Sequence, residues 1–409
     1  MKLKHFGLFL LISTVAIFSA CSDDDDKSSD VDLALEAQGN YKGLLNVTMA
    51  GNELSDATRF ISLTRTAENE VKLELKNFSI PTLLPSADIA LSGIELEGSG
   101  EKVTLKENTQ EITIAELGDM EVSIKTNGTI EGEKITLDLE IADLVVVITF
   151  DGEFTEEEII PTTSVVYDME EWVAVNPNAL EKNKHYRPGI EWASANNGIA
   201  TLVSMGRLDK FGVTESSDSH TGKSAAKLET LDTNGATMLG MVIPKITAGS
   251  LYTGSFKLNP SETLNSTQFG MPFDQNPISI SLYYKYTPGE VYYRCPDPKK
   301  GNIAEVEKGT VDKCSVNAVL YDVTEDESYI TGLNTYDDER IVALAQFESS
   351  EIVKEYKNIS LPFEFKEKYD PSKTYRLAII LSSSADGNTF SGAPGSTLYI
   401  DDIEITCEK

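Results

Sequence analysis

Ile135-Thr136-Leu137-Asp138-Leu139-Glu140-Ile141 sets four aliphatic side chains at alternate positions with three polar ones between them. Successive side chains on a strand point to opposite faces, so a period of two describes a strand with one buried and one wet face. Val71-Lys72-Leu73-Glu74-Leu75 repeats the pattern upstream. Between Tyr41 and Phe154 it recurs in eight or nine runs with no convincing helix, and Gly51-Asn52, Asn127-Gly128 and Asp151-Gly152 offer turn chemistry. A succession of hairpins of this length closes into an up-and-down barrel or a sandwich.

Glu156-Glu157-Glu158-Ile159-Ile160-Pro161 reads as a join, because composition changes beyond it: both tryptophans and most tyrosines lie on its C-terminal side. Strands continue there at Leu251 to Leu258, Ile278 to Tyr286, Tyr375 to Leu381 and Leu398 to Ile405, separated by longer loops. The expected class is all-β, an N-terminal barrel or sandwich followed by a larger jelly-roll sandwich. One short helix is expected near Asn176 to Asn183. In the last strand Leu398 and Ile400 share one parity and Ile403 and Ile405 the other, which predicts a β-bulge at Asp401-Asp402. Adjacent carboxylates there could hold a structural Ca²⁺, although no dense Asp/Asn ligand motif accompanies them.

At the other end, Lys2 and Lys4 precede an apolar run from Phe6 to Phe18, then Ser19-Ala20-Cys21 and the acidic Asp23 to Asp26. A positive head, about 13 apolar residues and small residues before a cut describe a secretory signal; roughly 20 would be needed to span a bilayer. The cysteine in that position resembles the lipobox of bacterial lipoproteins, with Phe18 where leucine is more usual. The resemblance implies cleavage before Cys21 and its lipidation. The acidic run looks like the export tag of surface lipoproteins in glycan-foraging gut bacteria, which implies an outer-membrane, cell-surface address. The domain layout is then signal 1–20, acidic tether 21–36, barrel 37–155 and jelly roll 160–409.

The formal charge is −31, and losing Lys2 and Lys4 with the signal takes it to −33. Such a surface repels phosphate backbones, so nucleic acid is excluded as a partner. Outside the signal the chain has only His185 and His220, and neither sits in a zinc or triad motif. Gly222-Lys223-Ser224 imitates a phosphate loop, but the earlier glycine that loop needs is Ser217. Cys295 and Cys314 flank a polar stretch and could clip it as a disulfide, with Cys407 structural; three unrelated thiols would look the same.

Gly39-Asn40-Tyr41-Lys42-Gly43 and the strands after it resemble calycin-like β-barrel domains. Lipocalins usually carry tryptophan where Tyr41 stands, so a spacer is expected rather than a ligand cup. Five islands resemble the putative carbohydrate metabolism domain: residues 189–198, 248–254, 269–273, 282–289 and 382–402. That resemblance implies a jelly roll with a role in carbohydrate metabolism or binding.

Sugar rings stack their CH faces on aromatics and need hydrogen-bond partners for their hydroxyls. In the strand from Ile278, Ile280, Leu282, Tyr284 and Tyr286 form a core stripe, while Tyr283 and Lys285 face outward with Ser279 and Ser281. Tyr283 and Lys285 are therefore candidate sugar contacts, as are Trp192 with Asn196 and Asn197, and Asp386 with Phe390 in the glycine-rich loop 382–395. Each has a structural alternative: an ordinary outer sheet face, a core tryptophan with turn-forming asparagines, and a rigid turn. The leading function is a surface lipoprotein that binds a glycan or oligosaccharide, alongside partner glycan-uptake proteins. A glycoside hydrolase using a carboxylate pair such as Glu191 and Asp386, and an adhesin without a sugar site, are the alternatives. No catalytic residue and no metal ligand is assigned.

Overall fold

The computed structural model describes residues 32–80, 84–99, 102–114, 117–157, 159–238 and 240–409. The signal, Cys21 and the acidic run lie outside them. Eight antiparallel strands from Gly39–Met49 to Val146–Thr155 close a barrel in sequence order, the last pairing with the first. Its interior is filled by the predicted alternation: Ile135, Leu137, Leu139 and Ile141 point in with Tyr41, Phe78 and Phe150. The outward face carries ion pairs such as Lys72–Glu74 (3.0 Å) and Lys125–Glu107 (2.7 Å), the inverse of a lipid-facing barrel. No described helix is long and apolar enough to cross a membrane.

Two expectations are corrected here. Asn127-Gly128 and Asp151-Gly152 are not turns but lie inside strands, where glycine lets backbones approach: a Cβ on Gly128 would sit 2.5 Å from the Thr136 carbonyl oxygen. The tether also ends sooner than position 36. Asp32 caps a short helix, Leu33–Ala37, accepting from the Ala34 N–H, and Tyr41 donates to the Ala37 carbonyl at 2.8 Å. Leu33, Ala34 and Ala37 are buried as part of the barrel core.

The C-terminal half packs two sheets face to face. One holds Trp192–Ser194, Ser250–Phe256, Tyr375–Ser382, Cys314–Asp322, Ile341–Ser349 and Glu364–Phe365, with two short strands, Thr267–Phe269 and Met271–Phe273, at its side. The other holds Val213–Ser216, Ala225–Glu229, Thr397–Glu408, Asn276–Thr287 and Val353–Pro362, with Thr162–Tyr167 alongside. Their facing side chains, among them Val316, Ile379 and Leu381 against Ile280, Tyr284 and Ile400, form the core. Tyr286 belongs to that core as predicted, and Tyr283 points away from it.

The helix expected at Asn176 to Asn183 is only a 3₁₀ turn at Glu181–Asn183. The true helix is Asn196–Ser204, where Ile199, Leu202 and Val203 make one apolar face at i, i+3 and i+4. The predicted bulge is present: Tyr283 pairs with Asp401 and Ser281 with Glu404, leaving Asp402 and Ile403 against Leu282. Asp402 there has φ +46°. The disulfide is corrected, since Cys295, Cys314 and Cys407 are all free and buried. The Cys295 thiol lies 3.2 Å from the Asp297 carbonyl and the Cys314 thiol 3.5 Å from that of Ser349, so each has its own local acceptor.

Candidate functional site

The sequence candidates do not converge. Trp192 is 1% exposed, packed between the sheets with its ring edge-on to Tyr167 at 5.3 Å, so it offers no platform to a sugar. Asn196 is buried too, and its amide is consumed by Val213, donating to the carbonyl at 2.7 Å and accepting from the N–H at 3.2 Å. Asn197 is exposed, but its side-chain oxygen meets the His185 ring at 2.6 Å. Asn196 and Asn197 pin the helix to its neighbours while Trp192 fills the core, and the ligand reading of Trp192 and Asn196 is corrected.

Tyr283 and Lys285 lie on the outer face of the other sheet, as their parity predicts, yet that face is covered. The His220 ring stacks flat on Tyr283 with centroids 3.6 Å apart, leaving the tyrosine 7% exposed. Lys285 pairs with Asp218 and lies over the rings of Tyr356 (4.8 Å) and Tyr399 (5.1 Å). The cause is the bulge. Below it the last strand pairs with Thr162–Tyr167 and above it with Ala225–Glu229, and residues 218–221 fill the gap.

There Asp401 accepts the N–H groups of His220 (2.7 Å), Thr221 (3.3 Å) and Asp402 (3.0 Å). Asp402 meets the His220 ring nitrogen at 2.7 Å and the Thr221 hydroxyl at 2.8 Å. Burial, reinforced by the neighbouring Asp402 charge, pushes Asp401 up to about 8. The bulge carboxylates are thus occupied by protein donors. Among the described residues no group of three or more His, Cys, Asp or Glu is placed to hold a metal ion.

An open cleft lies elsewhere, on the outer face of the first sheet. Its floor is Tyr252, Ser250, Ile380, Ser382 and Ser315, side chains that alternate away from the inter-sheet core. One wall is the Asn196–Ser204 helix with Met205; another is the Ala236–Met238/Met241–Ile243 hairpin with Met238 and Met241. Phe256, Leu258, Phe269 and Tyr336 line it further, and Gly387, Asn388 and Phe390 close it from the 382–395 loop. The cavity is about 260 Å³. Among the described lining residues none is charged. Thr201, Thr247, Thr263 and Asn388 make no side-chain hydrogen bond within the described chain, which leaves them to solvent or ligand.

Of the candidates read from sequence, Phe390 alone lines this cleft. It sits at φ +55°, and a Cβ on Gly301 would lie 2.6 Å from its ring, so that glycine makes room for it. Asp386 is exposed in the same loop and accepts the Tyr292 hydroxyl. The loop is fixed from below by Asp312. This buried carboxylate accepts Ser384 Oγ (2.6 Å), Ser396 Oγ (2.7 Å), the Ala393 N–H (2.7 Å) and the Lys313 N–H (2.9 Å). Burial raises its pKa, with those hydrogen bonds opposing.

A second depression, about 770 Å³, is acidic, lined by Asp322, Glu325, Asp326, Asp337, Asp338 and Glu339 with Arg340 and Lys373. Hydrogen bonds from Arg340 hold Asp338 below the usual carboxylate range. At Asp322 burial is outweighed by Lys373 and Thr324, and at Asp326 the Ser328 N–H lowers the pKa.

The putative carbohydrate metabolism domain matches residues 167–406, more than half the chain. The chain belongs to that family. The calycin-like β-barrel domain matches residues 37–153, the closed barrel. A structure described as a putative glycoside hydrolase from Bacteroides thetaiotaomicron is 23% identical, with 70% of this chain and 87% of that one covered and a TM-score of 0.50. A second, so described from Bacteroides vulgatus, is 28% identical over 59% of this chain and 97% of that one, with a TM-score of 0.48. No curated protein matches the chain.

Proposed function

We propose that this carbohydrate metabolism domain binds a neutral saccharide in the Tyr252–Phe390 cleft, displayed at the outer-membrane surface by a lipid on Cys21. The observation that carries the reading is the cleft itself, which has half-buried aromatic rings and unpartnered hydroxyl and amide groups in its lining. Those are the two things a sugar needs, an apolar surface for its CH faces and partners for its hydroxyls. The absence of charge from the described lining and the net charge of −31 favour an uncharged glycan over a uronate or sulfated one. Binding rather than hydrolysis is proposed because the described lining carries no carboxylate to act as acid or nucleophile.

Lipidation follows from Ser19-Ala20-Cys21, and the filled barrel then serves as a spacer between membrane and cleft. A glycan array with the chain from Ser22, which keeps every described residue, tests the reading. It should bind neutral oligosaccharides, weakened tenfold or more by Asn388→Ala or Tyr336→Ala and unaffected by Lys285→Ala. Binding lost with Lys285→Ala and kept with the other two would move the site to the opposite sheet. Replacing Cys21 with serine should release the protein from the membrane fraction; unchanged partitioning would remove the anchor.

A further inference from the structure

We propose that the inner wall of the cleft takes an aromatic ring carried on the saccharide, so that the ligand is an aryl-substituted neutral glycoside or glycan. This rests on the reading just given and deepens it. The rim and the interior of the cleft differ chemically. Thr201, Thr263 and Asn388 stand at the rim with side chains unbonded within the described chain, suited to sugar hydroxyls.

On the floor, Ser250 and Ser382 bond each other at 3.2 Å, and Ser382 donates to the Ser384 carbonyl at 2.8 Å, which leaves Ser315 as the one floor serine without a side-chain hydrogen bond within the described chain. A sugar ring pushed into that interior would bring more hydroxyls than the floor can partner, and each one left over would cost roughly 1–3 kcal/mol. A ring meets complementary surfaces there. The half-buried Phe256 and Tyr336 and the Met238 and Met241 thioethers face that space, backed by the buried Tyr252–Phe269 pair, which stands edge to face at 4.8 Å. Aromatic edges and polarisable sulfur both favour an aryl guest.

Size agrees. A cavity of about 260 Å³ is smaller than the roughly 300–1,000 Å³ that encloses a whole ligand. It fits one ring-sized group while the saccharide rests on the rim. An anionic guest such as a free fatty acid is disfavoured, because the described lining holds no cation and the chain is strongly acidic.

Calorimetry on the chain from Ser22 tests this with methyl, phenyl and octyl glycosides of a panel of neutral hexoses and pentoses. Phenyl glycosides should bind at least tenfold tighter than methyl glycosides of the same sugar. Met241→Lys, which puts a charge on the half-buried hairpin wall, should remove that advantage, while Lys285→Ala on the opposite sheet should change the binding of neither glycoside. Equal binding of phenyl and methyl glycosides overturns the inference and leaves saccharide binding standing. Octyl glycosides binding tighter than phenyl ones overturn it in favour of an acyl-chain site. Phenol binding as tightly as phenyl glycosides supports the ring site and removes the saccharide reading. No binding by any of them overturns both.

Discussion

Asp312 holds the cleft loop in place, and replacing it should damage stability and binding together. Its Oδ2 takes three donors, Ser384 Oγ, Ser396 Oγ and the Ala393 N–H, at 2.6–2.7 Å, while Oδ1 takes the Lys313 N–H at 2.9 Å. Asp312→Ala strands two backbone N–H groups and two hydroxyls in a site where Asp312 itself is 2% exposed. A buried donor without a partner costs about 1–3 kcal/mol. The hydroxyls can turn to other acceptors, so the two N–H groups dominate and the expected loss is about 3–5 kcal/mol.

Asp312→Asn preserves the shape and one acceptor oxygen, and should lose about half as much. Urea denaturation followed by tyrosine and tryptophan fluorescence reads the jelly roll, because both tryptophans are there. Its midpoint should fall in the order parent, Asn, Ala, while the barrel's transition stays put. Saccharide affinity should fall in the same order, since Asn388 and Phe390 ride on the loop. Both variants within about 0.5 kcal/mol of the parent, with affinity unchanged, would refute the reasoning.

Asp401 gives a pH signature. Its native pKa is raised from 3.8 to about 8, so the folded chain keeps a proton that the unfolded chain releases. The stability it contributes is full below about pH 4 and is lost as pH rises through about 8, with a slope of up to about 1.4 kcal/mol per pH unit. Asp401→Asn should flatten that part of the stability–pH curve, and an unchanged slope between pH 5 and 8 would remove the assignment. Trp192→Ala should cost about 3–5 kcal/mol of stability as a core truncation; a large affinity loss at equal folding would instead restore Trp192 as a ligand contact. The chain from Ser22 should show three thiols to a thiol reagent in denaturant without reductant, whereas one thiol would mean that Cys295 and Cys314 are joined.

Strand faces were legible because alternation is local. Ile280, Leu282, Tyr284 and Tyr286 went inward and Tyr283 and Lys285 outward as their positions dictated, and the parity switch around Asp401-Asp402 marked the bulge. Exposure on an outer face was not legible, because it depends on distant residues. His220 covers Tyr283 from 63 positions away, and Tyr167 closes the core over Trp192 from 25 away. The Asn196–Ser204 helix is nine residues long and carries a single apolar i, i+3, i+4 set, too short for its period to stand out beside Asn-Asn-Gly. The cleft takes its lining from separate segments spread between positions 195 and 390, so no contiguous motif announces it. Phe390 was found because a polar glycine-rich loop between two strands is a common place for a binding side chain.

A structure of the chain soaked with the tightest array ligand tests the central claim most directly. The account predicts a saccharide at the rim beside Asn388 and Thr263, with any apolar substituent against Phe256, Met238 and Met241. A saccharide bound instead beside His220 and Lys285, or in the acidic groove at Asp338, would contradict it.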